Sequence, residues 1–170
     1  MVVQWLRNNI YASGLFLVFR LYLGYTWLTS GWGKITGEQA FSAMGLLGRA
    51  VENPSVQGWW LSFIKGFAIP YVGLFNVLVP WGELLVGLGL ILGGLTTFSA
   101  LMGITMNFAF MFSGVAGINP QMVLLTVFLL VAGNNAGRFG IDYYLLPYLE
   151  RIIRTDFKFS ERKGIQTSEM

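Results

Sequence analysis

The sequence predicts an all-α membrane protein: a four-transmembrane-helix bundle with short interfacial helices in its outer loop and C-terminal tail. Three observations carry that prediction. Of the 170 residues, 55% are hydrophobic and 11% charged, against roughly a quarter charged in ordinary soluble domains. Mean hydropathy is +0.61. The apolar residues also gather into runs near the ~20-residue length that a bilayer core requires. The expected organisation is one transmembrane domain over 1–140 followed by an amphipathic cytoplasmic tail over 141–170.

The chain begins MVVQWLRNNIYAS, with one Arg and no small-residue cleavage site. Its first apolar run is therefore expected to be a retained helix and not a removed signal peptide. That run extends from about Gly14 to Gly33 and contains Arg20. A second, about Tyr71 to Gly94, contains Glu83; a third, about Thr97 to Val115, is uncharged and contains Asn107. A fourth, about Pro120 to Asn134, is short unless it continues toward Phe139. The brief links at Gly93–Thr97 and Ser113–Pro120 make consecutive helices antiparallel, leaving Ile35–Pro70 as the one long connection.

That connection is not simple coil. Phe41, Met44, Leu47 and Val51 recur at helical intervals, Asn53–Pro54 breaks the pattern, and Val56–Phe67 carries Trp59, Trp60 and Phe63. Tryptophan favours the headgroup level, where its ring is buried and its N–H finds a partner. One or two short helices lying on or dipping into the outer leaflet are expected, as a packed lid or as a substrate cover. In the tail, Ile141, Leu145, Tyr148 and Ile152 form one apolar face with Glu150, Arg151 and Arg154 opposite, an interfacial helix on the inner leaflet. The final FSERKGIQTSEM is polar and expected to fray.

Orientation follows from the flanking Lys and Arg. With four spans, Arg7, Arg138, Arg151, Arg154, Lys158, Arg162 and Lys163 share one face, and Lys34, Arg49 and Lys65 the other. The excess places both termini in the cytoplasm. The net charge of +3 gathers toward the C-terminus, which fits attraction to anionic lipid and not to nucleic acid.

The chain has no Cys and no His. Disulfides, thiol chemistry, zinc sites, Fe–S clusters and His-ligated haem are thereby excluded in this chain, and no metal is expected. The informative residues are instead charges inside the spans, each costing about 2.5–3.5 kcal/mol at the bilayer centre even on lenient scales. Arg20 and Glu83 are expected to pair across the bundle, as an internal pin or as the wall of a polar cavity for an anion, a quinone carbonyl or a proton. Lys34, at the outer end of the first helix, reads as a snorkelling anchor. Asn107 and Asn134 read as interhelical hydrogen-bond partners, and the abundant glycines as sites of close helix approach.

Three segments resemble the DoxX family of small membrane proteins, which includes the DoxD-like large subunit of thiosulfate:quinone oxidoreductase. Arg20-Leu-Tyr-Leu-Gly24 followed by Gly31-Trp-Gly-Lys34 resembles the family's pattern on its first helix. Pro80-Trp-Gly-Glu83-Leu-Leu-Val-Gly87 is similar to its Pro-x-x-Glu-x-x-x-Gly run, and Gly137-Arg138-Phe-Gly-Ile-Asp142 to its Gly-Arg-x-x-x-Asp after the last helix. Here Thr96, Thr97 and Phe98 stand where relatives often carry an Arg, and Gly140 stands where Ser is common.

The resemblance implies a four-helix membrane domain with a quinone connection. Carried over residue by residue, it marks Arg20 and Glu83 as cofactor-binding, and Lys34, Arg138 and Asp142 as substrate- or anion-binding or structural. The expected function is a membrane-embedded subunit of a quinone-linked oxidoreductase, of thiosulfate:quinone type. Quinone is then the cofactor, and membrane lipid, a second redox subunit and a homo-oligomer are the partners. The alternative is a non-enzymatic scaffold, or a lipid- or hydrophobe-binding partner of a redox enzyme. A transporter is disfavoured, since four short-looped helices without a repeat would need to oligomerise to build alternating access.

Overall fold

The structure is a computed structural model and describes residues 1–149, 151 and 152. Glu150, Arg154 and the expected fraying of the polar end lie outside the described residues.

A short helix α1, Val2–Asn8, precedes the 27-residue α2, Ile10–Thr36. Asn9 separates them: its backbone is extended, and its side-chain oxygen accepts from the Tyr11 N–H at 2.8 Å, capping α2. Because α2 starts four residues earlier than the apolar run, it is about 40 Å long at 1.5 Å per residue. The long connection forms α3, Met44–Glu52, and α4, Gly58–Phe63, which runs into a π-helical turn, Ile64–Ala68. Between α3 and α4, Asn53 turns the chain by accepting from the Ser55 N–H at 2.9 Å.

The remaining apolar runs form α5, Val72–Leu92, α6, Thr96–Phe112, and α7, Asn119–Ala132. A 3-10 turn, Gly133–Gly137, prolongs α7, and a further helical stretch covers 142–149. Pro120 sits in the first turn of α7, where a missing N–H costs nothing. Among the described residues, Val72–Leu92 and Asn119–Gly137 are long and apolar enough to cross a bilayer. Thr96–Phe112 is apolar but shorter, and α2 carries Arg20 and Lys34.

The long helices pack side by side. α2 lies along α5, α6 sits between α5 and α7, and α7 returns to α2. Their shared core includes Phe16, Leu23, Trp27, Leu90, Met122 and Leu129. A second cluster, with Leu47, Ala50, Val56 and Ile64, joins α3 to the π turn at the opposite end from α1 and the segment after α7. We call these the terminal end and the loop end. The outward faces are themselves apolar, as at Val18, Leu78, Leu85 and Leu124, a surface that asks to be covered.

α2 and α5 meet backbone to backbone. A Cβ on Gly31 would stand 2.6 Å from the Leu84 nitrogen and 2.7 Å from the Pro80 oxygen, so only glycine fits there. That contact fixes which charges can meet.

Candidate functional site

Gly24 faces Gly87 and Ile91, and Gly31 faces Pro80 and Leu84, so α2 and α5 run antiparallel in that register. Arg20 then falls beside Leu90, seven residues or about 10 Å along α5 from Glu83. The expected Arg20–Glu83 pair does not form. Glu83 instead meets Lys34, whose Nζ donates to its Oε2 at 2.6 Å. The sequence shows that both α2 cations and the α5 carboxylate lie near spans, but not which turn of one helix faces which turn of the other.

Arg20 is 1% exposed and fully engaged with backbone. Its Nε donates to the Leu90 carbonyl at 2.9 Å, Nη1 to Ala136 at 2.9 Å and Nη2 to Phe139 at 3.1 Å. A guanidinium at the C-terminal end of α5 complements the helix dipole and satisfies a carbonyl otherwise short of partners. Asp142 does the converse at the start of α6. Its two carboxylate oxygens accept from the Leu95 N–H at 2.6 Å and the Thr96 N–H at 2.8 Å. The Ile141 and Asp142 N–H groups in turn donate to Leu92 and Gly93. Gly93 has φ +63°, and a Cβ there would stand 2.6 Å from an Arg20 nitrogen. Arg20, Gly93 and Asp142 thus form one knot that closes the terminal end.

The Lys34–Glu83 pair is a different kind of object. Glu83 is 1% exposed while Lys34 keeps 26% of its side chain accessible. Lys34 also donates to Ser30 Oγ at 2.7 Å, one turn back on α2, and lies 5.8 Å from the centre of the Phe41 ring. Lys34 was expected to anchor at the interface; it reaches across to α5 instead.

Phe41 links this pair to a cavity of about 750 Å³. One wall is α5, through Phe75, Val79, Gly82 and Val86; the other is α6, through Phe98, Met102, Met106 and Phe110. The loop end covers it with Phe41, Trp60 and Phe63. Trp60 stacks on Phe63 at 4.9 Å between ring centres and donates from Nε1 to Ser113 Oγ at 2.9 Å, tying the cover to the end of α6.

Behind that wall lie polar atoms without partners. Asn107 is completely buried, and neither its amide nitrogen nor its oxygen is hydrogen-bonded among the described residues. Trp27 Nε1 is buried and unpartnered as well. A Cβ on Gly103 would lie 3.2 Å from both Trp27 Nε1 and Val86, and one on Gly82 would lie 3.3 Å from the Met106 sulfur. Residue 82 is thus beside 106 and 86 beside 103, which sets Asn107 level with Glu83. Val86 and Met106 separate these orphaned groups from the cavity.

The structure does not bring the five predicted site residues together. Arg20, Arg138 and Asp142 are at the terminal end; Lys34 and Glu83 are displaced toward the loop end. Asn107 is not the interhelical partner expected. In place of Asn134 it is Asn135 that bonds, accepting from Ser13 Oγ at 2.7 Å and donating to the Leu6 and Asn9 carbonyls. Trp27 and Ser30 were missed. Ser30 could have been found as the i−4 neighbour of Lys34; nothing in an apolar helix marks which Trp lacks a partner.

Comparison with known proteins fits this architecture. The DoxX family model matches residues 15–116, a segment holding Arg20, Lys34, Glu83 and Asn107 and ending before Arg138 and Asp142. The chain is also 32% identical over 142 residues to the inner membrane protein YqjF of Escherichia coli (strain K12), covering 76% of this chain and 90% of the relative. No solved structure matches the chain. With its apolar outward faces, its family match and this relative, the chain belongs to the DoxX family of membrane proteins.

Proposed function

We propose that the chain crosses the membrane four times, through α2, α5, α6 and α7, with both termini in the cytoplasm. In this reading it is the membrane-embedded subunit of a quinone-linked oxidoreductase and holds a quinone between α5 and α6. The observation that carries it is the apolar cavity of about 750 Å³, within the usual ~300–1,000 Å³ range of ligand sites, open along the outward face at Leu78, Leu85 and Phe98.

The walls fit the apolar part of such a group. The Phe, Met and Val walls suit an isoprenoid tail. A quinone ring also needs donors for its carbonyls; the unpartnered buried ones, Asn107 Nδ2 and Trp27 Nε1, stand one side-chain layer behind the wall, so a ring reaches them only by displacing Val86 and Met106. Bound there, a quinone would supply two-electron, two-proton redox chemistry. The protein's own part is to hold the ring, keep water out with Phe41, Trp60 and Phe63, and hold the Lys34–Glu83 charges beside the cover. With no Cys and no His in the chain, a second redox subunit delivers the electrons. Thiosulfate as reductant is the finest part of the proposal: a dianion needs a reachable cation, and Lys34 is accessible where Arg20 is not.

Purified protein in detergent should melt at higher temperature on adding a short-tailed quinone. Gly82→Phe, which fills the cavity beside Met106, should abolish that shift while leaving the helical circular dichroism unchanged. A wild-type protein that neither retains nor responds to quinone, but carries phospholipid in the cavity, would favour the hydrophobe-binding alternative. Thiosulfate-dependent quinone reduction, with and without a co-purifying subunit, tests the reductant separately. The cysteine-free chain suits topology mapping, with single cysteines at Gln39 and Ser168 expected to label from opposite sides.

A further inference from the structure

A second hollow, about 300 Å³ in volume, opens at the terminal end. Arg7 from α1 and Arg138 from the segment after α7 both line it, together with Asn134, Asn135, Tyr143, Leu146 and Pro147. The two arginines are only partly engaged. Arg7 donates from Nε to the Val131 carbonyl at 3.0 Å, which fixes the side chain and leaves both terminal nitrogens open. Arg138 makes one long contact, Nη1 to the Asn8 carbonyl at 3.5 Å.

Among the described residues the two arginines of the hollow form no ion pair. Asp142 also lines the hollow, but it is 4% exposed and both its oxygens accept from the start of α6. Asn134 and Tyr143 add an amide and a phenol that make no hydrogen bond among the described side chains. Tyr143 and Tyr144 are exposed beside it, where amphipathic rings meet the headgroup layer.

We propose that this hollow binds the phosphate of an anionic phospholipid. Two guanidinium groups converging from separate segments provide the forked donors that phosphate oxygens take up. Leu146 and Pro147 in the lining and the apolar outward faces of the helices offer the acyl chains a surface, which a free anion does not need. Such a lipid would tie α1 to the segment after α7. This site lies at the opposite end from the cover of the proposed quinone cavity and stands or falls without it.

The test is competitive native mass spectrometry of the full chain, with phosphatidylglycerol and phosphatidylcholine of identical acyl chains. Phosphatidylglycerol should be retained preferentially. Arg7→Gln and Arg138→Gln should each reduce that preference about tenfold, and the double variant should abolish it. Because Arg7 also holds the Val131 carbonyl, the Arg7→Lys/Arg138→Lys variant is the control: it keeps the charge and should keep a reduced but measurable preference. Arg49→Gln/Lys65→Gln, at the loop end, should change nothing. Equal retention of the two lipids by the wild type would overturn the proposal, as would a preference that survives in the double Gln variant. Displacement of the lipid by millimolar inorganic phosphate would overturn the lipid assignment and make the hollow a free-anion site.

Discussion

The protein holds two charged groupings at different levels of the same helix pair, and they are built on opposite logic. At the terminal end, all the polar atoms of Arg20 that hydrogen-bond do so to main-chain carbonyls of α5 and of the segment after α7, while Asp142 holds the start of α6. The Arg20 nitrogens and the Asp142 oxygens are thus taken up by the fold itself. Toward the loop end, Lys34 and Glu83 hold each other, Lys34 is partly wet, and a large apolar cavity adjoins their cover. A charge buried among carbonyls closes a fold; a charge held by another side chain, with one side open, can answer to a ligand. Of the family-like motifs, the first and second helices therefore contribute to both ends, whereas in the third Gly137 packs against Asp142 and Asp142 caps α6.

The comparison can be broken most forcefully at Arg20. Arg20→Met removes three donors at once and leaves two buried carbonyls and a part-buried one short of a partner, a loss of about 3 kcal/mol or more. Arg20→Lys restores the charge without the planar fork and should recover only a small part. The measurement is thermal unfolding in detergent, with yield from the membrane as a second readout. An Arg20→Met protein as stable as the wild type would show that the knot is decoration.

A smaller effect separates the ends more cleanly. In a double-mutant cycle with Lys34→Met and Glu83→Gln, a partly exposed pair should couple by about 1 kcal/mol. The cycle pairing Arg20→Met with Glu83→Gln should be additive within about 0.5 kcal/mol, since the two sites share no contact. Coupling in the second cycle but not the first would restore the Arg20–Glu83 pair that the sequence favours and reject the register set by Gly31.

Much of this architecture is legible before any coordinates. All four apolar runs become helices, and the break at Asn53–Pro54 and the short helices around it fall where the spacing places them. What the sequence hides is register. Arg20 and Lys34 lie 14 residues apart on one helix, and either could have met Glu83 had α5 slid by two turns. The decision rests on Gly24, Gly31 and Gly87, whose packing role was recognised but whose facing partners no one-dimensional pattern specifies. Asp142 was legible as a motif and not as a cap, because the N–H groups that it holds are 46 and 47 residues away. The helix break at Asn9 was missed because an Asn between apolar residues carries no periodicity.

The finest discrimination lies at Asn107, because there stability and ligand binding should move in opposite directions. A buried amide with no partner lowers stability by roughly 1–3 kcal/mol. Replacing it with an apolar side chain of similar volume removes that penalty. Asn107→Val should therefore raise the melting temperature of the ligand-free protein, by the equivalent of about 1 kcal/mol, while weakening or abolishing the quinone-dependent shift. Trp27→Phe, which deletes the second orphaned N–H and keeps an aromatic ring, should act in the same direction to a smaller extent. If Asn107→Val instead melts earlier and still responds fully to quinone, ordered water satisfies the amide and the group belongs to the packing. The loop end would then resemble the terminal end, with polar residues that close the fold, and the quinone proposal would have to rest on the cavity alone.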